Sequence, residues 1–481
     1  MQQLTPPLRE KPAGPVHERL LALLDEDLGF HGQDSRYASH NIHSFPAKFP
    51  PQLPRKFILG LTAKGDRVLD PMMGSGTTVV EAHLTGRRGL GFDIDPLALV
   101  LSKVKVTPIA GPAALAAGQK VLERARRAVE SDPVSLERAL QERLDGETRR
   151  FVDYWFAPET QIELQALVSA LEKVKEPRLR TFLEMVFSSL IITKSGGVSL
   201  AYDLAHTRPH RAKVVVANDG RVIVGAELAD KPSPRVGLLT KHLRSPLVEF
   251  EKRLRKSAAG LDHLAAGAGK PVIGAGDAQR LPLQTGSVDL IVTSPPYASN
   301  AIDYMRAHKF SLVWLGHSIR DLGAKRREYI GGEATTGFEF QELPPVAATV
   351  VAELTARDAK KGRILHRYYS EMGRTLQEMY RVLKPGRCAI VVVGSSVMRG
   401  RDTQTEACLA DLGRALGFEI PAIGLRQLDR NRRMMPAGLK VDLDSQIQQR
   451  MHHEYVIGYY KPERQLRRET PPAQSWGRFA P

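Results

Sequence analysis

The stretch Val68-Leu-Asp-Pro-Met-Met-Gly-Ser-Gly-Thr-Thr78 leaves the backbone few choices. An apolar run ends at Asp70-Pro71, a Gly-Ser-Gly turn follows at once, and Thr77 to His83 reads as helix. Gly74 and Gly76 permit backbone conformations that a Cβ forbids and let a ligand approach the main chain. The free N–H groups of the helix start attract polar or anionic atoms. About twenty residues on, Gly89-Leu-Gly-Phe-Asp93 reads as a second strand ending in a carboxylate, the usual means of gripping a ribose by its hydroxyls. Strand, turn and helix in this order open an α/β unit.

A glycine turn alone also fits a purely structural role. A second stretch narrows the reading. Val288-Asp-Leu-Ile-Val-Thr-Ser-Pro-Pro-Tyr297 is an apolar strand running into two consecutive prolines, which cannot continue a sheet. The strand must stop there and present a stiff turn at its carboxyl end, the edge at which open α/β sheets bind ligands.

Asp70 to Thr78 and Thr293-Ser-Pro-Pro-Tyr297 resemble the cofactor and catalytic motifs of the S-adenosylmethionine-dependent DNA amino-methyltransferases. His43-Ser-Phe-Pro-Ala-Lys-Phe-Pro-Pro51 resembles the family's companion segment, which packs over the methionine end of the cofactor. The resemblance implies a Rossmann-like class I methyltransferase fold, an α/β arrangement with a seven-stranded mixed sheet. S-adenosyl-L-methionine would be held by Phe45, Pro46, Lys48, Asp70, Pro71, Gly74, Ser75, Gly76, Thr77, Asp93, Asp277 and Ser294. Ser294, Pro295, Pro296 and Tyr297 would carry the chemistry. A Ser before Pro-Pro-Tyr is most typical of the N4-cytosine branch, whereas N6-adenine enzymes more often carry Asp or Asn.

The reaction suits these residues. The exocyclic nitrogen of cytosine or adenine is a poor nucleophile, because its lone pair is delocalised into the ring. The Ser294 hydroxyl and the Pro295 carbonyl would each accept a hydrogen bond from the amine, drawing nitrogen toward tetrahedral geometry. Transfer is then a direct in-line displacement that needs no nucleophilic Cys. The target base lies inside a duplex and must be flipped out, with Tyr297 offering a ring to stack upon.

The formal charge of +16 favours a polyanionic partner, here double-stranded DNA, although a solvated basic surface is the bland alternative. Cys388 and Cys408 are too few for a disulfide framework or a structural zinc site, so a reducing cytoplasm fits and no metal is expected. No signal-peptide pattern and no membrane-length apolar run occurs, which points to a soluble cytoplasmic chain without a membrane partner.

Along the chain, 1–40 reads as an N-terminal arm with one short helix, His17 to Leu28, and 41–54 as an irregular proline-rich segment. Lys48 there could reach a carboxylate or simply lie on the surface. Asp95-Pro96 fits an N-cap and first helical residue, making Asp95 a cap rather than a ribose ligand. From 107 to 270 the α/β rhythm stops. Pro112 to Glu130, Val134 to Leu144, Pro158 to Lys175, Leu179 to Thr193 and Pro246 to Leu261 read as helices, with a hairpin at Val214 to Val224. A segment this long is an inserted, mostly helical domain. Its 231–270 portion holds nine Lys/Arg against three Asp/Glu, which suits recognition of the DNA target or an ordinary solvated face.

The catalytic domain is thus expected at 41–106 and 271–461. Asp277, ending the strand Pro271 to Asp277, is open to two roles, binding the adenine amino group by resemblance or capping a turn. Asp303 or Tyr304 could line the pocket or hold its loop. His317 to Arg363 reads as a loop that folds over DNA, and Phe418 to Ile423 and Glu454 to Tyr460 as the sixth and seventh strands. Arg426, Arg430, Arg432 and Arg433 are candidate phosphate contacts. Residues 462–481 read as a flexible tail.

These features favour a DNA (cytosine-N4)-methyltransferase, with an N6-adenine enzyme as the nearest alternative and an RNA or guanine-N2 enzyme further off. A non-catalytic DNA-recognition subunit of a restriction or defence system is the alternative of another class. A cognate restriction endonuclease is a possible partner; the oligomeric state is open.

Overall fold

The structure is a computed structural model, described for residues 14–45, 49–193, 195–204, 209–229, 240–261, 270–298, 303–394, 396–428 and 453–463. Seven strands form the main sheet: β1 (Arg67–Asp70), β2 (Arg88–Asp93), β3 (Val272–Ala275), β4 (Val288–Thr293), β5 (Leu383–Gly394), β6 (Ile423–Gln427) and β7 (His453–Lys461). Their order across the sheet is β6-β7-β5-β4-β1-β2-β3. β7 alone runs against its neighbours, pairing antiparallel with β5 and β6, so the sheet is mixed and the α/β fold class stands as expected.

Both faces of the sheet are covered, and side-chain alternation divides the central strands between them. Val68, Leu290, Val292, Cys388, Ile390 and Val392 point into a core closed by the helices Val16–Asp25 and Gln52–Leu61. Leu69, Ile291, Ala389, Val391 and Val393 point into the opposite core, beneath the helices Pro345–Arg357, Ala359–Val382 and Thr405–Ala415. Residues read as an arm therefore supply much of one layer. Leu24 Cδ1 lies 2.5 Å from where a Cβ on Gly458 would sit, and Leu28 Cδ1 lies 2.7 Å from that position on Gly424, so β6 and β7 carry glycines where the amino-terminal segment rests on them. Cys388 is buried in this core, and burial pushes its thiol up to about 12.

Within 107–270 the expected helices occur as Gly111–Ser131, Pro133–Arg143, Pro158–Leu171, Pro177–Ile191 and Pro246–Ala259, and the hairpin as Val214–Val216 paired with Val222–Val224. A further helix, Gly146–Trp155, was not anticipated. Gly118 lets the first of these helices approach Leu254 of the last. The apolar core of the insertion continues without a break into Leu97 and Leu101 of the helix after β2 and into Met305, Phe310 and Trp314.

Two expectations are corrected. His317 to Arg363 is not a loop, because it contains the helices Ile319–Arg327 and Pro345–Arg357. Ala347, Val350, Val351 and Leu354 recur at helical spacing and are buried, whereas only Leu322 is buried in the shorter helix, which Ser318 caps. The sixth strand is Ile423–Gln427 rather than Phe418 to Ile423; Glu419 makes only an isolated bridge to Tyr460.

Candidate active site

β1 and β4 are adjacent and parallel, with Val68 beside Leu290 and Leu69 beside Ile291, so their carboxyl ends finish side by side. The glycine turn therefore lies next to the proline-stiffened loop. Thr293 Oγ1 donates to Asp70 Oδ1 at 2.7 Å and ties the two ends together. A cleft of about 890 Å³, open to solvent, lies over this edge.

The turn is shaped by its neighbours. Gly74 and Gly76 have φ of +48° and +77°, in the left-handed region that favours glycine. The Gly74 N–H donates to Asp93 Oδ2 at 2.8 Å, and Ser102 Oγ donates to the Gly74 carbonyl at 3.1 Å. Lys105, fully buried, donates from Nζ to the Ser75 carbonyl at 2.7 Å. A Cβ on Gly76 would come within 2.6 Å of Ser102 Oγ. The helix Pro96–Val106 thus holds the turn from below.

Burial dominates the carboxylates. It pushes Asp70 up to about 7, against the hydrogen bond from Thr293. It pushes Asp93 up to about 6, with the Asp95 charge adding to it. Asp95 goes the other way. Burial alone would raise it, but the His308 ring at 2.6 Å, the Tyr329 hydroxyl at 2.8 Å and backbone N–H groups of its helix outweigh that and hold it below the usual carboxylate range. Asp95 is the expected N-cap, accepting from Leu97 and Ala98. Its bonds to His308 and Tyr329 also anchor the far wall of the cleft, a role that residue type alone did not reveal.

Phe45, Asp70, Pro71, Gly74, Ser75, Thr77, Asp93, Asp277 and Ser294 all line the cleft. Gly76 lies within the same turn, as the residue before the helix Thr77–Leu84. Pro46 and Lys48 lie outside the described residues. Phe45 stacks on Tyr304 with ring centroids 5.6 Å apart, so Tyr304 does line the cleft, while Asp303 pairs with Arg306 and Arg326. Phe49, Tyr329 and Ile330 complete walls that sequence reading did not name. Asp277 is exposed at the rim, and its Oδ1 accepts from the Gln279 N–H at 2.9 Å as a turn cap does.

Of the Ser-Pro-Pro-Tyr motif, Ser294 and Pro296 face the cleft, and Pro295 is buried. Tyr297 is half-buried beside it, hydrogen-bonded to Ser294 and donating from its hydroxyl to Glu454 Oε1 at 3.0 Å. Arg426 is corrected as a phosphate contact. It is buried and paired with Glu454. Arg430, Arg432 and Arg433 lie outside the described residues. Among the described residues no helix is long and apolar enough to cross a membrane.

Comparison with known proteins follows the same lines. The N6/N4 DNA methylase family model matches residues 27–103, the segment that holds Phe45, the glycine turn and Asp93. Type II methyltransferase M.MvaI of Kocuria varians is 24% identical over 407 residues, 80% of this chain and 83% of that protein. Type II methyltransferase M.BsoBI of Geobacillus stearothermophilus is 25% identical over 304 residues, 59% of this chain and 54% of that protein. Among solved structures, a DNA modification methylase of Thermus thermophilus, complexed with S-adenosyl-L-methionine, overlaps 39% of this chain and 54% of its own at 20% identity. Its TM-score of 0.20 gives that overlap no weight. With the glycine turn and the Ser-Pro-Pro-Tyr loop joined at one sheet edge, the chain is similar to the DNA amino-methyltransferases, through the family model over 27–103 and through a Type II methyltransferase over most of its length.

Proposed function

We propose that this chain methylates the exocyclic N4 amine of a cytosine flipped out of double-stranded DNA, using S-adenosyl-L-methionine. The observation that carries the reading is the single cleft onto which Ser294 and Pro296 open together with Gly74, Ser75 and Asp93.

The residues present fit the cofactor. Gly74 leaves room that a Cβ would take from Phe45, at 3.3 Å, and the lining combines aromatic and apolar walls with buried carboxylates. Asp93 would accept from the ribose hydroxyls, Phe45 would cover the methionine end, and Asp277 would meet the adenine amino group. When bound, the cofactor supplies an electrophilic methyl group.

The Ser294 hydroxyl and Pro295 carbonyl accept from the two amino hydrogens and localise the nitrogen lone pair. Pro295 and Pro296 stiffen the loop, so this geometry is set before the base arrives. The Tyr297 ring gives the base an aromatic face. Ser rather than Asp at the head of the motif favours cytosine. In this reading 41–106 and 271–461 form the catalytic unit, and the insertion 107–270 reads the DNA target. A cognate restriction endonuclease is the protein partner it implies.

The test is expression in a host without DNA methylation, followed by digestion of its DNA to nucleosides. N4-methylcytosine is expected. N6-methyladenine would correct the base, and unmodified DNA from a host producing folded, cofactor-binding protein would overturn the reading.

A further inference from the structure

The cleft does not account for a buried polar chain that crosses the sheet edge from β4 to β6. Tyr297 donates to Glu454 Oε1 at 3.0 Å, and Glu454 Oε2 is held by Arg426 Nη1. Arg426 on β6 and Glu454 on β7 are paired in register, and their side chains are 9% and 12% exposed. Desolvating such a pair is costly enough that an apolar pair of similar volume would serve stability as well. An apolar pair has no means of holding a phenol. Burial, then the Glu454 charge, keeps the Tyr297 hydroxyl well above its ordinary range, so it stays protonated and remains a donor. The same hydroxyl also interacts with Ser294, which opens onto the cleft. Tyr297 follows two prolines and lies beyond the end of β4, so no ladder bond fixes its ring.

We infer that Glu454, buttressed by Arg426, is a positioning residue: it anchors the Tyr297 hydroxyl and thereby sets the ring and the Ser294 hydroxyl for the target base. The inference rests on the methyl-transfer reading above. It gives a place in the reaction to a strand far from the sequence motifs.

The experiment uses the full chain, DNA from a methylation-free host and labelled S-adenosyl-L-methionine. It reads kcat, KM for DNA, cofactor Kd and the thermal midpoint. Glu454→Ala and Tyr297→Phe are each expected to lower kcat roughly 10- to 100-fold, with cofactor Kd within about twofold. Glu454→Gln, which keeps an acceptor for the phenol, recovers most of the loss. The double variant Tyr297→Phe/Glu454→Ala is no slower than the slower single one, because both remove one bond. Tyr297→Phe leaves the Arg426–Glu454 pair intact, so the test holds even if Glu454→Ala does not fold. Unchanged kcat in Tyr297→Phe, multiplying losses in the double variant, or no recovery in Glu454→Gln would overturn the assignment. If the unaltered chain transfers no methyl group, the proposed function itself fails. If it does transfer and the variants match it, only the role of Glu454 fails.

Discussion

The Thr293 hydroxyl donates to the Asp70 carboxylate at 2.7 Å, joining the last residue of β4 to the last residue of β1. Both side chains are buried, so the bond is shielded from water and fixes the spacing between the glycine turn and the Ser-Pro-Pro-Tyr loop. Thr293→Val preserves shape and removes the bond. It should cost about 1–3 kcal/mol by urea denaturation and lower kcat, because a buried acceptor loses its partner. Unchanged stability and unchanged kcat together would show that the tie is idle.

Stability should depend on pH through Asp70 and Asp93. Their folded values, about 7 and about 6, lie above the ordinary carboxylate value near 3.8, so between those limits the folded state holds more protons than the unfolded one. The ligand-free chain is therefore most stabilised by these groups near pH 4, and that contribution is lost as pH rises through 6 to 7. Asp70→Asn should flatten the slope, by an amount on the order of a few kcal/mol across the window. In the proposed role of Asp93, cofactor affinity should move the opposite way, rising with pH through about 6, because an ionised carboxylate is the better hydrogen-bond acceptor for ribose hydroxyls. Calorimetry at pH 5 and pH 8 reads the sign, and Asp93→Asn should abolish the trend.

Gly76→Ala should weaken cofactor binding by tenfold or more. The left-handed conformation itself costs an alanine about 1–2 kcal/mol. The new methyl also meets Ser102, whose hydroxyl holds the Gly74 carbonyl. Gly65→Ala is the control, since Gly65 has φ of +87° with nothing within 4 Å of the added carbon. That variant should lose comparable stability and keep its affinity.

Roles within the cleft should separate kinetically. Ser294→Ala and Tyr297→Ala are expected to lower turnover by a hundredfold or so while changing cofactor Kd little, and Asp93→Ala to weaken the cofactor first. Calorimetry beside steady-state rates distinguishes these cases. Equal loss of both quantities in all three variants would contradict the division.

Much of the site was legible because its residues break local rules. Two glycines after an apolar run and two prolines after another announce turns whose positions no other residue types permit. Five helices of the insertion were legible from their spacing, whereas Gly146–Trp155 was not. Tyr329, His308 and Glu454 were not, because each meets its partner across a sequence separation of more than 150 residues and none carries a local signature. Arg426 misled for a different reason, since its partner Glu454 is only 28 residues away but lies among no charges that announce the pair. An arginine among arginines suggests phosphate, yet here it answers a carboxylate on the neighbouring strand. The short helix Ile319–Arg327 was hidden by its polarity, with one buried side chain to mark a face.

The leucines of Val16–Asp25 and just beyond sit in the hollows left by Gly424 and Gly458, on the strands that bring Arg426 and Glu454 together. Early and late parts of the polypeptide are thus keyed to one another, and a shortened protein starting near residue 50 would bare a greasy trough along β6 and β7. Trimming at that end, harmless on paper because no motif is touched, would be felt at the tyrosine on the far side of the sheet edge.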